Sequence, residues 1–321
     1  MNYLTIPHTT IQASQLCLGT GGLGSRLTQA ESFALLDAFV AGGGTFLDTA
    51  HVYANWRADL PKSISEKTIG QWMRARGNRL QIIVGTKGAH PDLATMHISR
   101  LSPAEIVQDL NESLAHLQTD YIDLYWLHRD DPTRNVADIV ETLNAQMRLG
   151  KIRAFGCSNW APARIQVAQD YAVAHGLHGF AANQPMWSLA QPNAAAFGMP
   201  GLAAMDAQTW ALHKALNLAA APYTSQARGF FSKLAQLGAD GLAEAERKSY
   251  LNEVNLRRFD RVQKLAADHD TTPSRIALAY LLAQPFPTFP VIGCRTIAQL
   301  ADSLAAIAVT LSADEIAWLE A

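Results

Sequence analysis

The sequence predicts an α/β fold of the (β/α)₈ barrel class, and three observations predict it. Eight short apolar, β-rich runs recur along the 321 residues, each followed by a segment with helical caps or periodicity. Strict strand–helix alternation builds a parallel sheet. Three successive runs then end in polar chemistry. Phe46-Leu47-Asp48 leads on to Tyr53, Ile82-Ile83-Val84-Gly85-Thr86 delivers Lys87, and the run from Tyr121 to Leu127 delivers His128. An open, doubly wound sheet gathers its ligands at one switch point, whereas a barrel carries them on the C-terminal ends of several strands. Finally, α/β barrels of this length run as one unit, so residues 1–321 are expected to form a single domain.

The elements follow in order. Residues 3–19 are β-rich and broken by Pro7 and Thr9-Thr10. They predict a short N-terminal β-hairpin, with Leu16-Cys17-Leu18 as its end or as the first barrel strand. Gly19-Thr20-Gly21-Gly22-Leu23-Gly24 matches the dinucleotide fingerprint G-x-G-x-x-G. In that motif the third glycine opens a helix facing the pyrophosphate. Here Thr28-Gln29-Ala30-Glu31 is a capping box with Thr28 as N-cap, so the helix opens later and the glycines occupy a rim loop.

That helix runs to about Val40 and stops at Gly42-Gly43-Gly44, before the Asp48 strand. Ser63 to Glu66 caps a helix ending near Arg76, before Gly77 and the Lys87 strand. Ser102-Pro103-Ala104-Glu105 has Pro at the first helical position and Glu at the third, and opens a helix to Leu117 before the His128 strand. Residues 135–149 are helical, 152–158 a strand, 162–175 a helix, and 179–185 hold a strand. Residues 188–204 predict a long irregular rim loop, 206–216 a helix, and 217–223 a strand. Residues 224–251 predict another long loop with some helix. Helices over 255–268 and 273–283, a last strand at 289–293, a helix near 297–306 and one from Ser312 complete the pattern. With the last helix running close to Ala321, little tail is expected to cover the upper face.

Composition narrows the function classes. A hydrophobic share of 49% supports a large core, and a net charge of −2 supplies no field for nucleic acid or an anionic membrane. Cys17, Cys157 and Cys294 are too few and scattered for a disulfide framework or metal cluster, and their apolar surroundings predict buried thiols. No basic-then-apolar leader opens the chain, and no run approaches the ~18 apolar residues of a membrane span. A cytoplasmic location is expected.

The polar strand ends suit one kind of chemistry. A phenol with pKa ≈ 10 is a poor donor at neutral pH, and an ammonium within ~4–6 Å is expected to lower that pKa. Tyr53 then serves as a general acid, with Asp48 neutralising Lys87 and His128 fixing a substrate oxygen. The set suits a carbonyl that gains a proton on oxygen as hydride reaches carbon. No strong nucleophile and no metal-ligand spacing is present.

These motifs carry a resemblance. Leu47-Asp48-Thr49-Ala50-His51-Val52-Tyr53, Val84-Gly85-Thr86-Lys87, the stretch from Asp120 to His128, and the stretch from Gly150 to Asn159 resemble the aldo-keto reductases, over nearly the whole chain. The resemblance implies a (β/α)₈ barrel, an extended nicotinamide cofactor, and reversible reduction of an aldehyde, ketone or sugar. It implies that Asp48, Tyr53, Lys87 and His128 form the catalytic set. Ser158, Asn159 and Gln184 match contacts to the nicotinamide carboxamide, and Tyr223 matches the aromatic beneath the ring. Thr20 and Gly21 join Asp48 on the cofactor side.

The family's pyrophosphate wrap is replaced here by Thr224-Ser225-Gln226 and Ala227-Arg228-Gly229, leaving Thr224, Gln226 and Arg228 as phosphate contacts. At the adenosine end, Gly293 and Gln299 stand where the family often has Lys and Arg. Arg295 is the substitute partner for a 2′-phosphate, Gln299 lies beside it, and Asp302 matches an adenine contact. NADP(H) is preferred over NAD(H) on this basis. Trp56, Arg129, Trp160 and Trp187 are expected to wall the substrate pocket. Arg129 either favours a polar or anionic substrate or pairs with Asp130 or Asp131. Two rivals stand beside the reductase: a cofactor-binding regulatory subunit resembling the potassium-channel β-subunit branch, and a lyase or isomerase using Lys87 as a Schiff base. The expected partner is a small carbonyl or alcohol.

Overall fold

The computed structural model describes residues 1–198 and 201–321. β1 (Tyr3–Thr5) and β2 (Gln12–Ser14) pair as an antiparallel hairpin. Eight parallel strands follow: β3 (Cys17–Gly19), β4 (Phe46–Asp48), β5 (Ile83–Gly88), β6 (Ile122–Leu127), β7 (Ile152–Ser158), β8 (Ala182–Gln184), β9 (Ala219–Ala220) and β10 (Val291–Ile292). Each strand pairs with its chain neighbour, and β10 returns to β3. The remaining gap closes where Ala220 bridges Thr288 in parallel, with the Phe289 N–H donating to the Ala220 carbonyl at 2.7 Å. The fold is the (β/α)₈ barrel that the alternation predicted, with its N-terminal hairpin.

The helices are α1 (Gln29–Ala41), α2 (Ile64–Arg76), α3 (Pro103–Leu117), α4 (Val136–Arg148), α5 (Pro162–Ala174), α6 (Ala207–Leu216), α7 (Phe230–Leu237), α8 (Glu244–Tyr250), α9 (Glu253–Asp268), α10 (Pro273–Leu282), α11 (Ile297–Ala305) and α12 (Ala313–Glu320). Reciprocal capping boxes at Thr28/Glu31, Ser102/Glu105 and Ser312/Glu315 start α1, α3 and α12. α1 therefore opens well past the glycine stretch, which stays a loop.

Two local expectations need correction. Ser63 does not cap α2. It sits at φ 56°, its hydroxyl donates to the His51 carbonyl at 2.6 Å, and its N–H donates to Asn55 at 2.7 Å. The loop after β4 has captured the group that would have capped the helix. The 224–251 stretch is largely helical, holding a 3₁₀ turn at Ala227–Gly229 and then α7 and α8. Phe230, Phe231 and Leu234 bury one face of α7, which packs on α9 and α10. In the 188–204 loop, Ala194–Phe197 forms a 3₁₀ turn, and residues 199–200 lie outside the described residues.

Period-two alternation decides which side chains enter the barrel. Phe46, Leu124, Trp126, Ala154, Ala182, Ala219 and Phe289 fill the interior, and Ile6, Ile11 and Ala13 of the hairpin segment pack against them from below. Gly156 keeps β7 close to both β6 and β8, since a Cβ there would meet the Ala182 carbonyl of β8 at 2.5 Å and the Trp126 ring of β6 at 2.6 Å. The opposite parity, including Leu47, Val84, Tyr125, Leu127 and Phe155, packs on the helices. All three cysteines are free and buried, and burial raises each thiol's pKa, that of Cys294 to about 11. No described helix is long and apolar enough to cross a membrane.

Candidate active site

The same parity aims Asp48, Lys87, His128, Ser158 and Gln184 inward at the C-terminal mouth, above Phe46, Trp126 and Ala182. Lys87 is 1% exposed, and its Nζ donates to Asp48 Oδ2 at 2.6 Å, the Thr49 carbonyl at 2.7 Å and the Tyr53 hydroxyl at 3.1 Å. Those three acceptors engage all three ammonium protons. Asp48 takes a second bond on its other oxygen, from Gln184 Nε2 at 2.9 Å. Tyr53 stands edge-on to His128, with ring centroids 6.1 Å apart. The four residues expected to act together do lie together.

Their protonation follows from burial and charge. Burial alone would lower the Lys87 pKa, but the charges of Asp48 and Tyr53 overcome it and leave it raised. Burial raises the Tyr53 pKa, and Lys87 opposes this while Asp48 adds to it. The phenol therefore sits above its ordinary value, contrary to the expectation that Lys87 draws it towards neutrality; desolvation outweighs the lysine. Burial, then His90, Lys87 and Arg129, push His128 well below its ordinary value. At neutral pH the phenol keeps its proton and the imidazole is uncharged.

Beside the set, Ser158 Oγ donates to the Gln184 carbonyl at 2.8 Å. Asn159, at φ 63°, donates to the His128 carbonyl at 3.2 Å and to Ser158 Oγ at 3.0 Å, and accepts from the Tyr223 hydroxyl at 2.8 Å. Thr20 donates to the Asp48 carbonyl at 2.9 Å, and a Cβ on Gly21 would stand 3.5 Å from the Tyr53 ring. These expected cofactor residues share one mouth.

The residues expected at the phosphates sit on an unusual backbone. Thr224, Ala227, Arg228 and Gly229 all take left-handed φ angles, of 57°, 47°, 58° and 79°. Non-glycine residues seldom adopt that region, and such strain clusters at ligand clamps. Gln226 bridges Ser274 and Ser303 at 3.2 Å each, while Arg228 is exposed. Arg295 is exposed near the start of α11 and forms no ion pair among the described residues, and Gln299 accepts from its N–H at 2.8 Å. Asp302 is held by Arg275 at 2.8 Å, so an adenine contact would have to share that carboxylate.

The expected pocket walls divide. Trp56 is 53% exposed on the rim, and Arg129 is buried beside His128. Trp160 is 1% exposed and packed edge-on against Phe180, with centroids 5.0 Å apart, so it is core in place of the expected wall. Trp187 is 8% exposed and packs against Tyr280 and Phe286, also in the core. His90 was not anticipated. Its ring centroid lies 4.8 Å from that of His128, and its Nδ1 bonds the Pro91 carbonyl at 2.7 Å. Its place three residues after Lys87, just beyond a strand end, was the available signal. The fold also brings ligand atoms of His51, Asp109 and Glu112 within 4.8 Å, a grouping the spacing did not suggest. Asp109 is committed there to Arg100 and the Ala89 N–H.

With this geometry in place, comparison with known proteins adds family context. The model of the aldo/keto reductase family matches residues 15–321. The chain is 31% identical to norsolorinic acid reductase stcV of Emericella nidulans, over 98% of this chain and 79% of that protein. It is 29% identical to Uncharacterized oxidoreductase YrpG of Bacillus subtilis, over 99% and 95%. It is also 29% identical to aldo-keto reductase ausK of Aspergillus calidoustus, over 98% and 80%.

Proposed function

As the chain belongs to the aldo/keto reductase family and is an oxidoreductase, we propose that it reduces a small aldehyde or ketone with NADPH, Tyr53 giving the proton. The observation that carries this is the Lys87 ammonium, gripped by Asp48 at 2.6 Å and touching the Tyr53 hydroxyl at 3.1 Å. A bound nicotinamide supplies the hydride for the carbonyl carbon.

The chain's own residues do the rest. Tyr53 hands its proton to the carbonyl oxygen as negative charge develops there. Lys87 stabilises the phenolate left behind and is held charged and aimed by Asp48, which Gln184 steadies from the other side. Neutral His128 holds the carbonyl oxygen and sets its angle. With its three protons engaged and its pKa raised, Lys87 is a poor amine nucleophile, which weighs against Schiff-base chemistry. Ser158, Asn159, Gln184 and Tyr223 fit the nicotinamide end, and the left-handed Thr224–Gly229 stretch fits a phosphate cradle. Arg295 supports NADPH over NADH by offering a cation with no ion pair among the described residues.

The test is NADPH and NADH oxidation against a carbonyl panel, beside Tyr53→Phe. Loss of about 10²–10⁴-fold in kcat with cofactor affinity retained is expected. Full activity in that variant would remove the phenol from the mechanism. Tight cofactor binding without turnover on any carbonyl would favour the regulatory reading.

A further inference from the structure

The residue after His128 is a buried cation without a counter-ion. Arg129 is 7% exposed. Its acidic neighbours in sequence are engaged elsewhere: Asp130 holds Arg164 at 3.1 Å, and Asp131 accepts from Thr133 at 2.7 Å and lies 3.8 Å from Arg134. Among the described residues no carboxylate lies within ion-pair reach of Arg129. Residues 199 and 200, outside that set, are Met and Pro, and neither carries charge.

The guanidinium is held but not saturated. Nη1 donates to the Gly201 carbonyl at 3.1 Å, while Nε is buried with no partner among the described residues. The backbone is fixed from behind, where Trp160 Nε1 donates to the Arg129 carbonyl at 3.2 Å. The side chain follows His128 directly and is anchored to Gly201 in the rim loop over 188–204, and its charge helps to lower the His90 and His128 pKa values.

A buried cation is unfavourable unless something pairs with it. Guanidinium cannot shed its proton to escape that penalty. Its planar fork matches a carboxylate with two parallel hydrogen bonds. We propose that Arg129 is a specificity-determining residue of the substrate pocket, selecting carbonyl compounds that carry a carboxylate. This rests on the reductase reading and names its substrate class. The other oxyanion that could reach it is a cofactor phosphate.

The experiment compares 4-carboxybenzaldehyde with its methyl ester, and succinic semialdehyde with butanal, as NADPH oxidants. Wild type is expected to favour each acid by 10-fold or more in kcat/KM. Arg129→Gln is expected to lose that preference through KM, the kcat/KM for each acid falling 10-fold or more towards that of its neutral partner, with the Kd of NADPH unchanged. Arg129→Lys, which keeps charge without the fork, is expected to retain part of it. Equal use of acid and neutral substrate by wild type overturns the proposal without needing any variant. A variant that loses NADPH affinity instead assigns Arg129 to the cofactor and also overturns it. Calorimetric binding of 4-carboxybenzaldehyde to NADP-loaded protein, lost in Arg129→Gln and accompanied by no NADPH oxidation, would sink the reductase reading and leave the anion site standing.

Discussion

Two aspartates buried in the barrel wall, one at each end, answer the same physical problem differently. Asp48 ends β4 at the C-terminal mouth and is 2% exposed, bound to Lys87 and Gln184. Asp123 lies near the start of β6 at the lower end and is fully buried. One of its oxygens takes Arg153 at 2.9 Å, and the other takes Arg79 and the Val84 N–H, both at 2.9 Å. Arg79 and Arg153 also stack on the Tyr121 ring, each 3.9 Å from its centroid. The lower aspartate has permanent cations that end the network. The upper one has a titratable cation that passes the network on to a phenol at the mouth. In a barrel the lower face serves stability and the upper face chemistry. The difference teaches that burial and pairing do not by themselves mark a site; the partner that remains open to a ligand does.

The largest expected effect breaks the lower network. Asp123→Ala leaves Arg79 without its buried counter-charge and should destabilise by about 3–5 kcal/mol in urea melts. Turnover per folded molecule should be unchanged. A large fall in kcat at full stability would erase the distinction between the two ends.

Asp48→Asn tests the upper one. Turnover should fall on the order of 10²-fold, measured as NADPH oxidation, with the strand pairing intact by circular dichroism. If kcat held and only stability fell, Asp48 would be no different from Asp123.

A smaller effect separates the cations by pH. The Lys87 pKa is raised in the folded chain. Its stabilising contribution is therefore fully present below the unfolded lysine value of about 10.4 and is lost as pH rises through the folded value. Arginine does not titrate in that window. Wild type should lose stability at high pH by more than Lys87→Met does, since the variant lacks this contribution. Parallel alkaline melts would show the upper pair to be uncoupled from proton release.

Much of this was legible in the sequence because strand parity and capping chemistry are local. Asp48, Lys87 and His128 announce themselves at the ends of apolar runs, and Thr28, Ser102 and Ser312 start their helices as written. Ser63 misled because the tertiary pull of His51 and Asn55 beat a local cap. The 224–251 stretch read as a loop with some helix, its helical share understated because the helices are short and flanked by glycine, and what orders α7 is burial against α9 and α10. Trp160 and Trp187 could be wall or core on sequence alone, and only packing decides. The phenol's pKa was misjudged because proximity to lysine can be guessed from spacing, whereas the depth of desolvation cannot. Asp123 gave no signal, since its partners Arg79 and Arg153 come from two other segments.

The three buried thiols have a practical consequence. Their raised pKa values keep them as thiols at neutral pH, and all three are buried, with Cys294 8% exposed. The native chain is thus a silent background for maleimide labelling. One cysteine installed at exposed Trp56 would place a chemical handle at the rim, where a fluorophore could report ligand binding at the mouth.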